Sequence, residues 1–310
     1  MTRPFRFAVQ AARASDGPAW AELARRAEEL GFAALYLPDH FTDQLAPFPA
    51  MAAAAAATTT LRVGGLVVCN DYRHPVVHAK ELATLDVLSG GRVDWGIGAG
   101  WMTSDYEQAG IEKDPAGVRI ERLAEAIRVM RLLFSDGRAD FTGAHYRITD
   151  LDGRPKPVQK PHPPLLLGGG GRKMLQLAAA EADIVGLAPA ARTGRVDTEA
   201  ARDASAEATD RKVAWLREFA GERIDSIEIN ALVFLVVVTD DRTSTANGIA
   251  GAFGMSGEEV LESPHVWIGT VDEICDDLRR RRERWGISYY AVPQEAMEQV
   301  APIVARLAGT

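Results

Sequence analysis

Short apolar runs alternate with amphipathic helical stretches along nearly all of this 310-residue chain, and that alternation limits its fold more than any other feature. The runs are FRFAVQ (5–10), FAALYL (32–37), RVGGLVVC (62–69), RVDWGIG (92–98), PLLLG (164–168), DIVGL (183–187), IEINALVFLVVV (227–238) and ISYYAV (287–292). Their almost unbroken apolar character suits strands buried on both faces, as in a parallel sheet. Between them, PAWAELARRAEELG places Trp20, Leu23, Ala24, Ala27 and Leu30 at helical spacing, with Gly31 as the stop. VRIERLAEAIRVMRLLF puts Ile120, Leu123, Ile127, Met130 and Leu133 on one face, and Thr270 and Glu273 have capping-box spacing. The alanine run 52–57 reads as helix packed closely on the sheet.

Eight such runs separated mainly by helices fit a (β/α)8 barrel and also an open doubly wound sheet, because the pattern does not reveal closure. A bare barrel takes about 250 residues, so insertions are expected. Residues 137–151 read as a small hairpin with a Thr142-Gly143 turn. Residues 240–264, rich in small side chains around Phe253 and Met255, read as a mobile lid. No composition break or internal repeat divides the chain, so a single domain spanning 1–310 is expected.

A formal net charge of -8 argues against a nucleic-acid or anionic-membrane surface. Two cysteines without a CxxC pattern suit a reducing compartment. The chain opens on a strand-like run in place of a signal peptide's apolar segment, and its longest apolar run falls short of the ~20 residues of a membrane span. The expectation is a cytoplasmic protein.

In a parallel α/β fold, ligands bind beyond the carboxyl ends of the strands. Four loops fall there: Asp39-His40 after the second run, Cys69-Asn70 after the third, Gly98 to Trp101 after the fourth and Gly168 to Gly171 after the fifth. GGGGRKML suits either a phosphate at a helix N-terminus or a plain turn. WGIGAGW departs from GxGxxG and leads into a loop, so close packing explains Gly96 and Gly98 better than a dinucleotide does. His74, His78 and Glu81 have metal-ligand spacing, but Pro75 suits the first helical position, which leaves His74 outside as a cap. No metal site is expected. Cys69 reads as a packed strand-end residue.

The stretches AEELGFAALYLPDHF, RVGGLVVCNDYRHPVVHAKELATLDVLSGGRVDWGIGAGW, PPLLLGGGGRKMLQLAAAEADIVGL and IGTVDEICDDL resemble the luciferase-like monooxygenase superfamily, and look most like its deazaflavin (coenzyme F420)-dependent oxidoreductases. The resemblance implies a (β/α)8 TIM barrel with insertions, a cofactor at the C-terminal rim and a homodimer. It assigns the catalytic pair to His40 and Asp39, with the histidine near the reactive ring carbon and the aspartate orienting it and lining the cofactor. It puts a bulge at Leu66 to Val68, often with a non-proline cis peptide, behind the ring. Leu66, Val67, Cys69 and Asn70 then line the ring or its side chain, Gly169, Gly170 and Gly171 the phosphate, and Ser104 its tail. Trp101, also expected to line the cofactor, stands where sugar-phosphate dehydrogenases of this branch carry a glutamate, which implies a flatter or more apolar substrate against that wall. Under this resemblance the chain moves hydride between F420 and an organic substrate, with His40 as general acid or base. An FMN-dependent monooxygenase is the alternative, and a deazaflavin-binding protein without turnover is a third reading.

Overall fold

A computed structural model describes residues 3–310. Eight parallel strands form a closed ring: β1 Arg6–Gln10, β2 Ala34–Leu37, β3 Arg62–Gly65, β4 Val93–Gly98, β5 Leu165–Gly169, β6 Ile184–Leu187, β7 Glu228–Leu232 and β8 Ile287–Pro293. Each pairs with the next, and β8 returns to β1 through Arg6↔Tyr289 to Gln10↔Pro293. Closure excludes the open sheet, and the architecture is a (β/α)8 TIM barrel.

Several of the helices that the sequence suggests start or stop on a local signal. Asp16 accepts the Ala19 N–H to start Gly17–Glu29, which buries Trp20, Ala24 and Ala27. Gly31 follows at φ +82°, a conformation that favours glycine. The alanine run lies in Pro47–Ala57, with Ala50, Met51, Ala54 and Ala55 buried. His74 caps Pro75–Ser89 by accepting the Val76 N–H, with Pro75 in the first turn. Both halves of the Thr270/Glu273 capping box are formed.

One run behaves differently from its sequence. IEINALVFLVVV divides after Leu232, because the Val233 N–H still bonds Ala291 but the Phe234 N–H turns to His265 O. Leu235–Val238 then pairs in parallel with Val266–Gly269, outside the barrel. Between them, residues 240–264 form two capped helices, Arg242–Phe253 and Gly257–Glu262, over a small core of Ala246, Val260, Val266 and Ile268. The segment expected as a mobile lid is built of helices with their own small core. The other insertion is the hairpin Ala139–Thr142 with Arg147–Leu151. Its loop is Gly143 to Tyr146, longer than a two-residue turn, because the Glu125 carboxylate accepts the N–H groups of Ala144, His145 and Tyr146.

The barrel interior is polar at its N-terminal end. Arg6 pairs with Glu228 at 2.7 Å, Arg62 with Asp94 at 2.6 Å, Tyr36 donates to Asp94 at 2.6 Å and Tyr289 to Tyr36 at 2.7 Å. Among the described residues, no helix is long and apolar enough to cross a membrane.

His78 and His265 are both buried, on separate elements. Burial pushes each ring down to about 3, against about 6.5 in an unfolded chain. The unfolded chain binds the extra protons, so this contribution is whole above about pH 6.5 and is lost as pH falls toward 3. Urea unfolding should therefore show stability falling from pH 7 to 5, with a shallower fall in His78→Leu. An identical slope in the variant would remove His78 as a source.

Candidate active site at the barrel mouth

The residues singled out in the sequence gather at the carboxyl ends of neighbouring strands, and the mouth is shaped first by glycine. The registers 63↔93 and 64↔94 differ by 30, whereas 68↔97 and 69↔98 differ by 29, so β3 carries one extra residue before it resumes as Val68–Cys69. The bulge is Leu66-Val67, and the peptide joining them is cis. Leu66 N–H donates to Leu37 O at 2.7 Å and its carbonyl accepts Gln10 Nε2 at 3.1 Å. Val67 turns inward, where a Cβ on Gly98 would lie 2.6 Å from its Cγ2 and one on Gly168 3.2 Å from its Cγ1. Gly96 is needed because a Cβ there would sit 1.8 Å from Gly65 O. Gly100 is held at φ +73° with the Tyr106 hydroxyl 2.0 Å from its would-be Cβ. Packing thus accounts for every glycine of WGIGAGW.

His40 follows β2 and is mostly buried. Its Nδ1 meets Asp105 Oδ2 at 2.6 Å, and the Trp101 ring stands edge-on to the imidazole with centroids 5.6 Å apart. Asp105, buried in the first turn of Thr103–Ala109, also accepts Tyr72 O–H at 3.1 Å and Phe41 N–H at 3.4 Å. The resemblance has Asp39 orient His40, but its carboxylate makes its hydrogen bonds elsewhere. Asp39 accepts from Arg73 at 2.5 Å and from the Cys69 N–H at 2.9 Å, so its carboxylate ties β2 to the end of β3. Ser104 stands half-buried beside Asp105.

Cys69 is buried, and burial pushes its thiol up to about 12, so it stays protonated and packed. Asn70 is also buried, with Nδ2 donating to Tyr146 O–H at 3.3 Å and Oδ1 without a partner among the described residues. The hairpin insertion therefore reaches the mouth through Tyr146.

The glycine loop after β5 divides into unlike positions. A Cβ on Gly169 would strike Met174 Cγ at 2.4 Å, and one on Gly170 would strike Ala188 O at 2.0 Å. Gly170 is glycine because the chain after β6 passes against it. At Gly171 a Cβ would meet nothing within 4 Å. Gly171 also leads the helix Arg172–Glu181, whose first-turn amides have no side-chain cap.

Sequence reasoning missed Asp105, Arg73, Tyr72 and Tyr146. Asp105 looks in sequence like any acid in a helix's first turn. Arg73 lies within the RHP stretch, but nothing there shows that it reaches back 34 residues to Asp39.

An F420-dependent glucose-6-phosphate dehydrogenase of Microbacterium testaceum is 33% identical over 187 residues, 57% of this chain and 55% of that protein. An FMNH(2)-dependent dimethylsulfone monooxygenase of Pseudomonas putida is 32% identical over 131 residues, 41% of this chain and 35% of that one. The chain spans about half the length of the curated relatives it matches. Among solved structures, the coenzyme F420 dependent tetrahydromethanopterin reductase from Methanopyrus kandleri superposes with a TM-score of 0.78 at 18% identity, covering 98% of this chain and all of the other, which is a likeness of fold. The family model described as luciferase-like monooxygenase matches residues 4–289. With nearly the whole chain inside that match, this barrel belongs to the luciferase-like monooxygenase family.

Proposed function

We propose that the chain is an oxidoreductase that moves hydride between the deazaflavin coenzyme F420 and a small organic substrate, with His40 as its acid-base group. The observation that carries this reading is the mostly buried His40 imidazole, held at Nδ1 and flanked by Trp101 on the same rim as the Val67 bulge and Gly171. The F420-dependent relative supports the cofactor assignment.

The residues present fit a planar cofactor with a phosphate tail. Open space at Gly171 lies beside the first-turn amides of a helix that no side chain caps, which an anion could reach. Asn70 Oδ1 is a buried acceptor still lacking a donor. Val67, backed by Gly98 and Gly168, presents an apolar surface at the mouth. When bound, the deazaflavin supplies the two-electron chemistry. The chain supplies the rest. First-turn amides of Arg172–Glu181 hold the phosphate, Trp101 and Val67 exclude water, and His40 Nε2 gives or takes the proton that balances hydride transfer. The Trp101 wall suits a flat, weakly polar substrate. An FMN-dependent monooxygenase is the second reading, favoured by the Pseudomonas relative.

Titration with both cofactors separates the two. F420 should bind at micromolar Kd or tighter, about -8 kcal/mol, and FMN more weakly; the reverse order would overturn the assignment. The phosphate cradle is tested at Gly171. Gly171→Val should keep the fold and weaken cofactor binding at least about tenfold, whereas Gly170→Val should disturb folding through Ala188. Unchanged affinity in a folded Gly171→Val would make the loop a turn alone. His40→Ala should bind F420 within about tenfold of wild type yet transfer hydride at least ~100-fold more slowly. Stopped-flow oxidation of reduced cofactor by a panel of enones and imines reads that rate, and a wild-type rate would remove His40 from the chemistry.

A further inference from the structure

The acid-base reading of His40 leaves open which ring nitrogen carries the proton, and the surroundings of Asp105 answer it. The carboxylate lies 2.6 Å from His40 Nδ1 and takes two further donors, Tyr72 O–H at 3.1 Å and Phe41 N–H at 3.4 Å. One oxygen serves the ring and the tyrosine, and the other the backbone of the next residue. Tyr72 is itself held, tilted on Phe41 with centroids 4.6 Å apart and edge-on to Tyr106 at 5.6 Å. Trp101 fixes the ring plane from a second side. Asp39 does not compete, because Arg73 and the Cys69 N–H occupy it.

We propose that Asp105 is a positioning residue that holds neutral His40 as the Nδ1–H tautomer, so that Nε2 is the atom that exchanges a proton at the mouth. An ionised carboxylate can only accept, so the ring hydrogen in that contact belongs to Nδ1. Nε2 then carries the lone pair for a substrate proton, the arrangement that a general base needs. This deepens the proposed function and rests on its assignment of His40.

The Asp105→Asn exchange makes the proposal sharp. Phe41 N–H is a fixed donor, so the amide oxygen of an asparagine must face it. The amide NH2 then faces His40 Nδ1 and the Tyr72 oxygen, both able to accept. His40 is forced into the opposite tautomer, with its proton on Nε2. At the orienting aspartate of a serine-protease triad the same exchange lowers kcat about 10⁴-fold for this reason.

The test needs no cofactor. Ring 15N shifts in the full chain labelled at histidine distinguish a bare from a protonated nitrogen, and the His40 signals are those missing in His40→Gln. At alkaline pH the wild type should show a bare Nε2. Asp105→Asn should reverse the two nitrogens, while Tyr72→Phe and Asp39→Asn should keep the wild-type pattern. A wild type with Nε2–H, or an Asp105→Asn that keeps a bare Nε2, overturns the proposal, and the wild-type spectrum alone decides it if a variant fails to fold. In F420-loaded protein, Asp105→Asn should lower kcat at least ~100-fold with substrate KM within about threefold; an unchanged kcat would overturn the positioning role. A tautomer switch in protein that does not bind F420 would instead overturn the functional reading and leave the Asp105–His40 contact standing.

Discussion

The mouth of this barrel depends on the packing of Val67 onto two glycines. The extra residue in β3 drives that side chain inward, where a Cβ at Gly98 would collide with it at 2.6 Å and one at Gly168 would crowd it at 3.2 Å. Overpacking by a single carbon in such a place costs about 1–3 kcal/mol or more. Gly96 adds the same requirement one turn of the pleat lower, against the backbone oxygen of Gly65. Strands β3, β4 and β5 therefore approach at a fixed distance, and the loops that follow them inherit their positions. Those loops carry Asn70, Trp101 and Gly171.

Two carboxylates near β2 illustrate how position in three dimensions divides tasks that look alike in sequence. Asp39 adjoins His40 in the chain, yet its oxygens are taken by Arg73 and the Cys69 N–H, and it works as a clamp between strands. Asp105 comes from a helix 65 residues on and meets the imidazole directly. Successive residues at a strand end point to opposite sides, so adjacency in sequence argues against a shared contact here.

The polar layer at the closed end of the barrel has a different character. Glu228 and Asp94 are buried and Arg6 and Arg62 partly so, and desolvation offsets much of their attraction. Asp94 accepts from both Tyr36 and Arg62, Glu228 accepts from Arg6, and Tyr289 donates to Tyr36. Removing one member would leave an uncompensated buried charge, a larger loss than the pair's own net contribution.

The sequence alone determined the eight barrel strands and the main helices, because each follows from local periodicity or from one residue's backbone preference. It also placed His40, Trp101, Asn70 and the glycine loop on one rim, since parallel strands send all their carboxyl ends the same way. Closure of the ring, the division of residues 227–238 into two strands and the ordering of 240–264 into helices needed the tertiary structure, because each depends on a partner distant in the chain. The same holds within the mouth. Gly168, Gly169, Gly170 and Gly171 read alike as letters, and Asp39 looked like the partner of His40. Only the fold brings Val67 to Gly168, Met174 to Gly169, Ala188 to Gly170 and open space to Gly171, and only the fold delivers Asp105 to the imidazole. Hydrogen bonds and steric contacts act over a few ångströms in space, whatever the separation along the chain.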